Sequence, residues 1–172
     1  MDIRPPETDT DIVELIRAHG RAWREAYDDV LPDPVLDEVT VEPTPEEVEE
    51  WAEGLDGDCA ATFVAVIDGT VRGFVDVRWG DDNTKPFVGI GEAGLKAIYV
   101  HPDRWGEGIG TALLERGLDA LPTDIDAIRL DAFADNESGA RFYESRGFER
   151  AGVRAVEIAD ETYPLDVWVR SL

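Results

Sequence analysis

Cysteine is nearly missing from this chain: Cys59 is the only one in 172 residues, so no disulfide can form within it. Histidine is as scarce, and His19 and His101 alone make no cluster of metal-ligand spacing, so no metal is expected. No run approaches the ~18 consecutive apolar residues of a membrane-spanning helix, and Met1 to Pro5 has none of a signal peptide's apolar core. The expectation is a soluble, cytoplasmic protein with no membrane partner. Lysine is the least anticipated shortage. Of 16 basic residues only Lys85 and Lys96 are lysines, and the other 14 are arginines.

Against those 16 stand 39 acidic residues, a formal charge of −23 spread along the chain rather than gathered in a tail. Nucleic acid would be repelled. An acidic, lysine-poor chain with 43% hydrophobic residues has the composition of a protein from a high-salt cytoplasm, where ions screen the self-repulsion. That is adaptation to solvent, as in a halophile, and it leaves function undecided. The length suits one domain over residues 1–172, large enough to bury a core without disulfide or metal.

What the chain does have is a glycine turn. The apolar run Leu95 to Val100 leads into His101 to Gly110, with glycines at 106, 108 and 110, and a helical pattern follows from Thr111 to Leu121. Such glycines let backbone approach a ligand, and the free amides of the next helix's first turn favour an anion such as a phosphate or pyrophosphate. The alternative is a tight strand-to-helix turn with no ligand. No Lys-Ser/Thr pair follows the glycines, as a nucleotide P-loop requires, and a Rossmann turn needs a further glycine and a parallel βαβ unit.

Around that turn Ile3 to Pro6 can be only a short strand, because its two prolines cannot continue a ladder, and the periodicity predicts a helix from Asp9 to about Tyr27 capped by Asp9 or Thr10 and a break at Asp28 to Pro34. A second helix starts at Thr44, with Pro45 in its first position and Glu47 three residues after the cap. Ala61 to Ile67 and Val71 to Trp79 flank Asp68 and Gly69 as a hairpin. Glu92 to Val100 is the strand before the glycine turn, and the helix after it runs from about Gly108 to Leu121. A strand at Ala127 to Phe133, a helix from Asn136 or Ser138 to Ser145, and strands at Ala151 to Ile158 and Tyr163 to Arg170 complete an α+β order.

That order, with two segments in it, resembles the GNAT family of acyl-CoA-dependent N-acetyltransferases. Ile98 to Leu114 resembles the family's pyrophosphate-binding segment, usually written Gln/Arg-x-x-Gly-x-Gly/Ala, and Asn136 to Phe148 resembles its second CoA segment. Trp105 is a departure, standing where the family carries Gln or Arg, so Arg104 or the backbone amides alone would serve the phosphates. The resemblance implies a mixed, mostly antiparallel sheet flanked by helices, with acetyl-CoA as acyl donor and a homodimer as a family-level expectation. It implies that the backbone of Ile98 and Val100 pairs with the pantetheine arm and that a donor near Ile98 or Tyr99 faces the thioester oxygen. Amides from Gly106 through Glu107, Gly108, Ile109 and Gly110 to Thr111 would hold the pyrophosphate, and Asn136 would bond the pantetheine side. Tyr143 would be the general acid near sulfur; an aromatic at that helical spacing can equally be core. For the base, Asp131 and Glu92 are the first candidates and Asp76 the third, each open to being a solvated carboxylate of an acidic protein. Trp23 and Tyr27, with His19, share one helix face that lines an amine pocket or simply faces the core.

The implied activity is acetyl transfer to a primary amine, on a small molecule or a peptide or protein N-terminus. Direct attack is expected because Cys59 lies outside both segments. The rival is a non-catalytic acyl-CoA-binding or sensing domain with the same fold.

Overall fold

The computed structural model describes residues 1–172. Along the chain run β1 (Asp2–Arg4), α1 (Asp9–Ala26), α2 (Asp33–Asp37), α3 (Pro45–Leu55), β2 (Ala60–Ile67), β3 (Thr70–Trp79), β4 (Glu92–Val100), α4 (Ile109–Asp119), β5 (Ala127–Phe133), α5 (Glu137–Ser145), β6 (Glu149–Ile158) and β7 (Glu161–Ser171). Two differences from the expected order have local causes. The cap of α1 is Thr8, whose hydroxyl accepts from the Asp11 amide while the Asp11 side chain returns to the cap backbone. At the end of the segment read as a break a short helix, α2, begins, because Pro34 lies in its first turn, where a proline loses no helical hydrogen bond.

Seven strands form one sheet in the order β1-β2-β3-β4-β5-β7-β6, antiparallel everywhere except between β4 and β5. That parallel junction positions the site. β4 and β5 pair only at Glu92 with Ala127, Ala93 with Ile128 and Gly94 with Arg129. Beyond Gly94, β4 stays on β3 as far as Val100 while β5 stays on β7 as far as Phe133, so the two strands part. The register of β3 on β4 steps from Asp76–Ala97 to Val77–Leu95, leaving Lys96 as the extra residue of a bulge at the start of the gap.

Helices cover both faces. Ile109, Leu113 and Leu114 of α4 pack on Val75, Val77, Leu95 and Ile128, while Ile12, Leu15 and Ile16 of α1 pack with Val48 of α3 on Val64 and Phe74. Each fully buried aliphatic side chain of this kind contributes about 1.5 to 3 kcal/mol. The helices therefore hold the parted strands from both sides.

Candidate active site

The glycine turn is built by two different constraints. Gly106 and Gly108 both have φ +82°, in the left-handed region, and a Cβ on either would meet nothing within 4 Å. Gly110 is required by proximity instead, since a Cβ there would come within 3.0 Å of the Phe142 ring of α5. From Gly106 to Thr111 no backbone N–H finds an acceptor within the chain; the first bond of α4 is Ala112 N–H to the Gly108 carbonyl. Thr8, Thr44 and Asn136 cap α1, α3 and α5 with their side chains, whereas α4 begins at Gly108 with no side-chain cap. These uncapped amides face a cleft, and the open space over Gly106 and Gly108 fits a pyrophosphate.

The cleft is a cavity of about 860 Å³ lined by the free part of β4, the glycine turn and one face of α5. Ile98, Tyr99, Val100, Arg104, Trp105, Thr111, Asn136 and Tyr143 all line it. The structure distinguishes their parts. Trp105 donates its indole N–H to the Val100 carbonyl at 2.7 Å, so it secures the turn to β4 and occupies a carbonyl expected to serve the pantetheine arm. Asn136 Oδ1 accepts from the Gly139 amide as the cap of α5, which leaves its NH₂ group for a ligand. Ile109 is a core side chain and contributes only its amide, and Glu107 points its carboxylate at Arg104, 3.4 Å away. Arg141 and Arg146 also line the cavity and were missed in the sequence, where arginine is too common to stand out. Arg146 is fixed, with Nε on Thr111 Oγ1 at 2.8 Å, Nη1 on the Phe142 carbonyl at 2.9 Å and its guanidinium 3.7 Å over the Phe142 ring.

Tyr143 packs edge-on against Phe142 and Phe148, with ring centroids 5.3 and 5.6 Å away, yet its hydroxyl hydrogen-bonds to no group of the chain. Burial, reinforced by Tyr99 and Asp131, raises its pKa, so the phenol stays protonated. It is core in its ring and open to the cavity at its oxygen.

A second cavity, of about 640 Å³, shares Tyr27, Lys96, Ala97, Tyr99, Asp131 and Ala132 with the first. The two meet where β4 and β5 part. Its wall is aromatic: His19 lies 5.0 Å from both Trp51 and Tyr99 and 5.9 Å from Trp23, and Trp23 lies 4.8 Å from Tyr27. Trp23 and Tyr27 also pack in a core cluster with Leu31, Leu36 and Phe133, so the one helix face is both core and cavity wall. Burial pushes His19 down to about 4, so it is neutral at neutral pH. The Trp23 indole N–H is buried with no partner.

The three candidate carboxylates separate here. Asp131 stands where the cavities meet, with Oδ1 accepting from Lys85 Nζ at 2.9 Å and Oδ2 from Arg154 Nη1 at 3.2 Å. Asp76 borders the second cavity but is 2% exposed and held by Arg78 at 2.8 and 3.1 Å. Glu92 lines neither cavity. It lies at the closed end of the β4–β5 junction, where it accepts from Arg129 Nε at 2.9 and 3.0 Å and from the Gly89 amide, so the structure does not bring it together with Asp131 and Tyr143.

The family model for the acetyltransferase (GNAT) family matches residues 21–148, which include β4, the glycine turn and α5. The chain belongs to this family. Among curated relatives, the mycothiol acetyltransferase of Kineococcus radiotolerans is 43% identical over 63 residues, 37% of this chain and 20% of that protein. That of Sanguibacter keddieii is 32% identical over 97 residues, 56% of this chain and 30% of that protein. Both matches span less than a third of the relative's length. Among solved structures, ribosomal-protein-alanine N-acetyltransferase from Brucella melitensis superposes over 100% of both chains with a TM-score of 0.74 at 23% identity. PaiA N-acetyltransferase from Thermoplasma acidophilum, in complex with coenzyme A, does so over 100% of both chains with a TM-score of 0.70 at 18% identity. These likenesses show the shared GNAT fold.

Proposed function

We propose that this GNAT-family chain is an N-acetyltransferase that moves the acetyl group of acetyl-CoA to a primary amine by direct attack. The observation that carries the proposal is the meeting of the two cavities at the parted β4–β5 edge, with the uncapped amides of Gly106 to Thr111 at one end and the aromatic wall at the other. Acetyl-CoA supplies a thioester whose acyl carbon takes the amine as the C–S bond breaks, with one amine proton ending on sulfur. The chain's groups have distinct tasks. The uncapped amides and Arg104, Arg141 and Arg146 hold the phosphates, with the arginines offsetting a chain of −23. The unpaired edge of β4 beyond Gly94 receives the pantetheine as an added strand, and backbone near Ile98 or Tyr99 polarises the carbonyl.

Tyr143 directs its unpartnered hydroxyl at the sulfur and gives up its proton as the thiolate leaves, to be restored by the proton the amine sheds. Asp131 holds Lys85 and Arg154 at the acceptor side and takes that proton through water before passing it back to the Tyr143 oxygen. Trp23 and Tyr27 wall the acceptor pocket. The composition supports a cytoplasmic protein adapted to high salt.

The test is thermal shift with CoA and acetyl-CoA, followed by thiol release over a panel of amines in high salt. Stabilisation by both ligands with thiol release is the expected result. Stabilisation without turnover leaves an acyl-CoA-binding domain, and no stabilisation by either refutes the donor site.

A further inference from the structure

The chain's only two lysines, Lys85 and Lys96, both line the second cavity. Lys96, the extra residue of the β4 bulge, forms no hydrogen bond or ion pair in a chain with 39 carboxylates. Asp76, whose titration it influences, is already held at both oxygens by Arg78. Lys85 shares the single charge of Asp131 with Arg154. Lys85 and Lys96 line this cavity with Glu50, Asp76 and Asp131; Arg78 and Arg154, which lie outside the lining, pair with Asp76 and Asp131, so those two carboxylates are neutralised inside a molecule of net −23 and Lys96 is left over. An amine that brings only positive charge finds the carboxylates of Asp76 and Asp131 already held by cations, and only the exposed Glu50 unpaired. A carboxylate on the acceptor finds Lys96 unpaired and Lys85 half-committed.

We infer that the acceptor is an α-amino acid with an apolar or aromatic side chain. Its carboxylate is bound by Lys96 and Lys85, its side chain lies against the wall of Trp23, Trp51 and Phe74, and its amine faces the gap between β4 and β5. The inference rests on the N-acetyltransferase reading and names its second substrate. It sets polyamines and internal lysines apart, because neither carries a carboxylate next to the reacting nitrogen.

The experiment measures thiol release with L-phenylalanine and L-leucine, with their amides, and with phenethylamine and spermidine. The amide's amine loses its proton more readily than the free acid's, so a preference for the acid cannot arise from amine reactivity. One charge-assisted hydrogen bond to the carboxylate predicts kcat/KM about tenfold higher for acid than for amide. Lys96→Gln brings the acid-to-amide ratio toward one, and Lys96→Arg, which keeps the charge, restores it. Faster turnover of the amides or of spermidine overturns the inference, as does a ratio that Lys96→Gln leaves unmoved. Stabilisation by acetyl-CoA with no thiol release from any amine refutes the enzymatic reading itself, and the acceptor assignment falls with it.

Discussion

Tyr143→Phe separates chemistry from packing more cleanly than any other substitution in this chain. The Tyr143 ring is packed against Phe142, Phe148 and Trp168, and a phenylalanine keeps all of those contacts. The hydroxyl makes no hydrogen bond within the chain, so removing it leaves no orphaned partner and the stability change is near zero, within about 0.5 kcal/mol. At about 2 to 4 °C per kcal/mol for a domain of this size, Tm moves by less than about 2 °C. Catalysis responds differently. Losing a positioned proton donor lowers turnover by about 10²-fold or more, and at ~1.4 kcal/mol per tenfold that is at least about 2.7 kcal/mol of barrier. Acetyl-CoA affinity is unchanged, because phosphates and pantetheine are held elsewhere. Thiol release at saturating acetyl-CoA, a CoA titration and a melting curve together decide the matter. An unchanged kcat refutes the acid role, and a fall in kcat accompanied by a large fall in Tm refutes the claim that the hydroxyl is structurally idle.

Gly108→Ala places a Cβ at φ +82° and destabilises the fold by roughly 1 to 2 kcal/mol, read from the urea midpoint, while weakening CoA binding by tilting the α4 amides. Arg78→Met strands the buried Asp76 carboxylate and lowers stability by about 3 kcal/mol or more, which a stable variant would disprove. The Arg4 hydrogen bonds hold the Asp11 carboxyl below its ordinary value, so its contribution to stability is complete above the unfolded-state pKa near ~3.9 and is lost as pH falls through the lower folded value. Asp11→Asn flattens that acid limb of the stability curve, and an unaltered limb disproves the assignment. With a net charge of −23, the melting temperature rises between ~0.1 M and ~1 M KCl as the screening length contracts from ~10 Å to ~3 Å, and a flat profile refutes the high-salt reading.

The donor side was legible because its requirements are local. Three glycines, a preceding strand and a following helix lie within one short stretch that leaves backbone amides uncapped, so a pattern of residue types stands for the geometry. Even there the reasons differ by position. Gly106 and Gly108 answer to backbone conformation, but Gly110 answers to Phe142, 32 residues later, which no local pattern contains. Trp105 looked like a departure from the family's segment. Its indole bond to the Val100 carbonyl shows a side chain securing the turn it belongs to, a role that depends on where β4 ends.

The acceptor side was not legible, because what makes it is a relation between strands. Glu92 and Asp131 looked equivalent as carboxylates on neighbouring strands. They differ because β4 and β5 pair at Glu92 and have parted before Asp131, and one parallel contact of three residues separates a closed end from an open one. The lysines make the same point more sharply. Their rarity was visible in composition and carried no meaning there, since a charge counts by what lies near it. The bulge turns Lys96 out of the β3–β4 ladder, and the loop after β3 returns Lys85 onto Asp131 of β5. A surface that excludes lysine everywhere else thus keeps both at one cavity, where a compact ammonium on a flexible stem can meet a small anion that a surrounding field of carboxylates would otherwise repel.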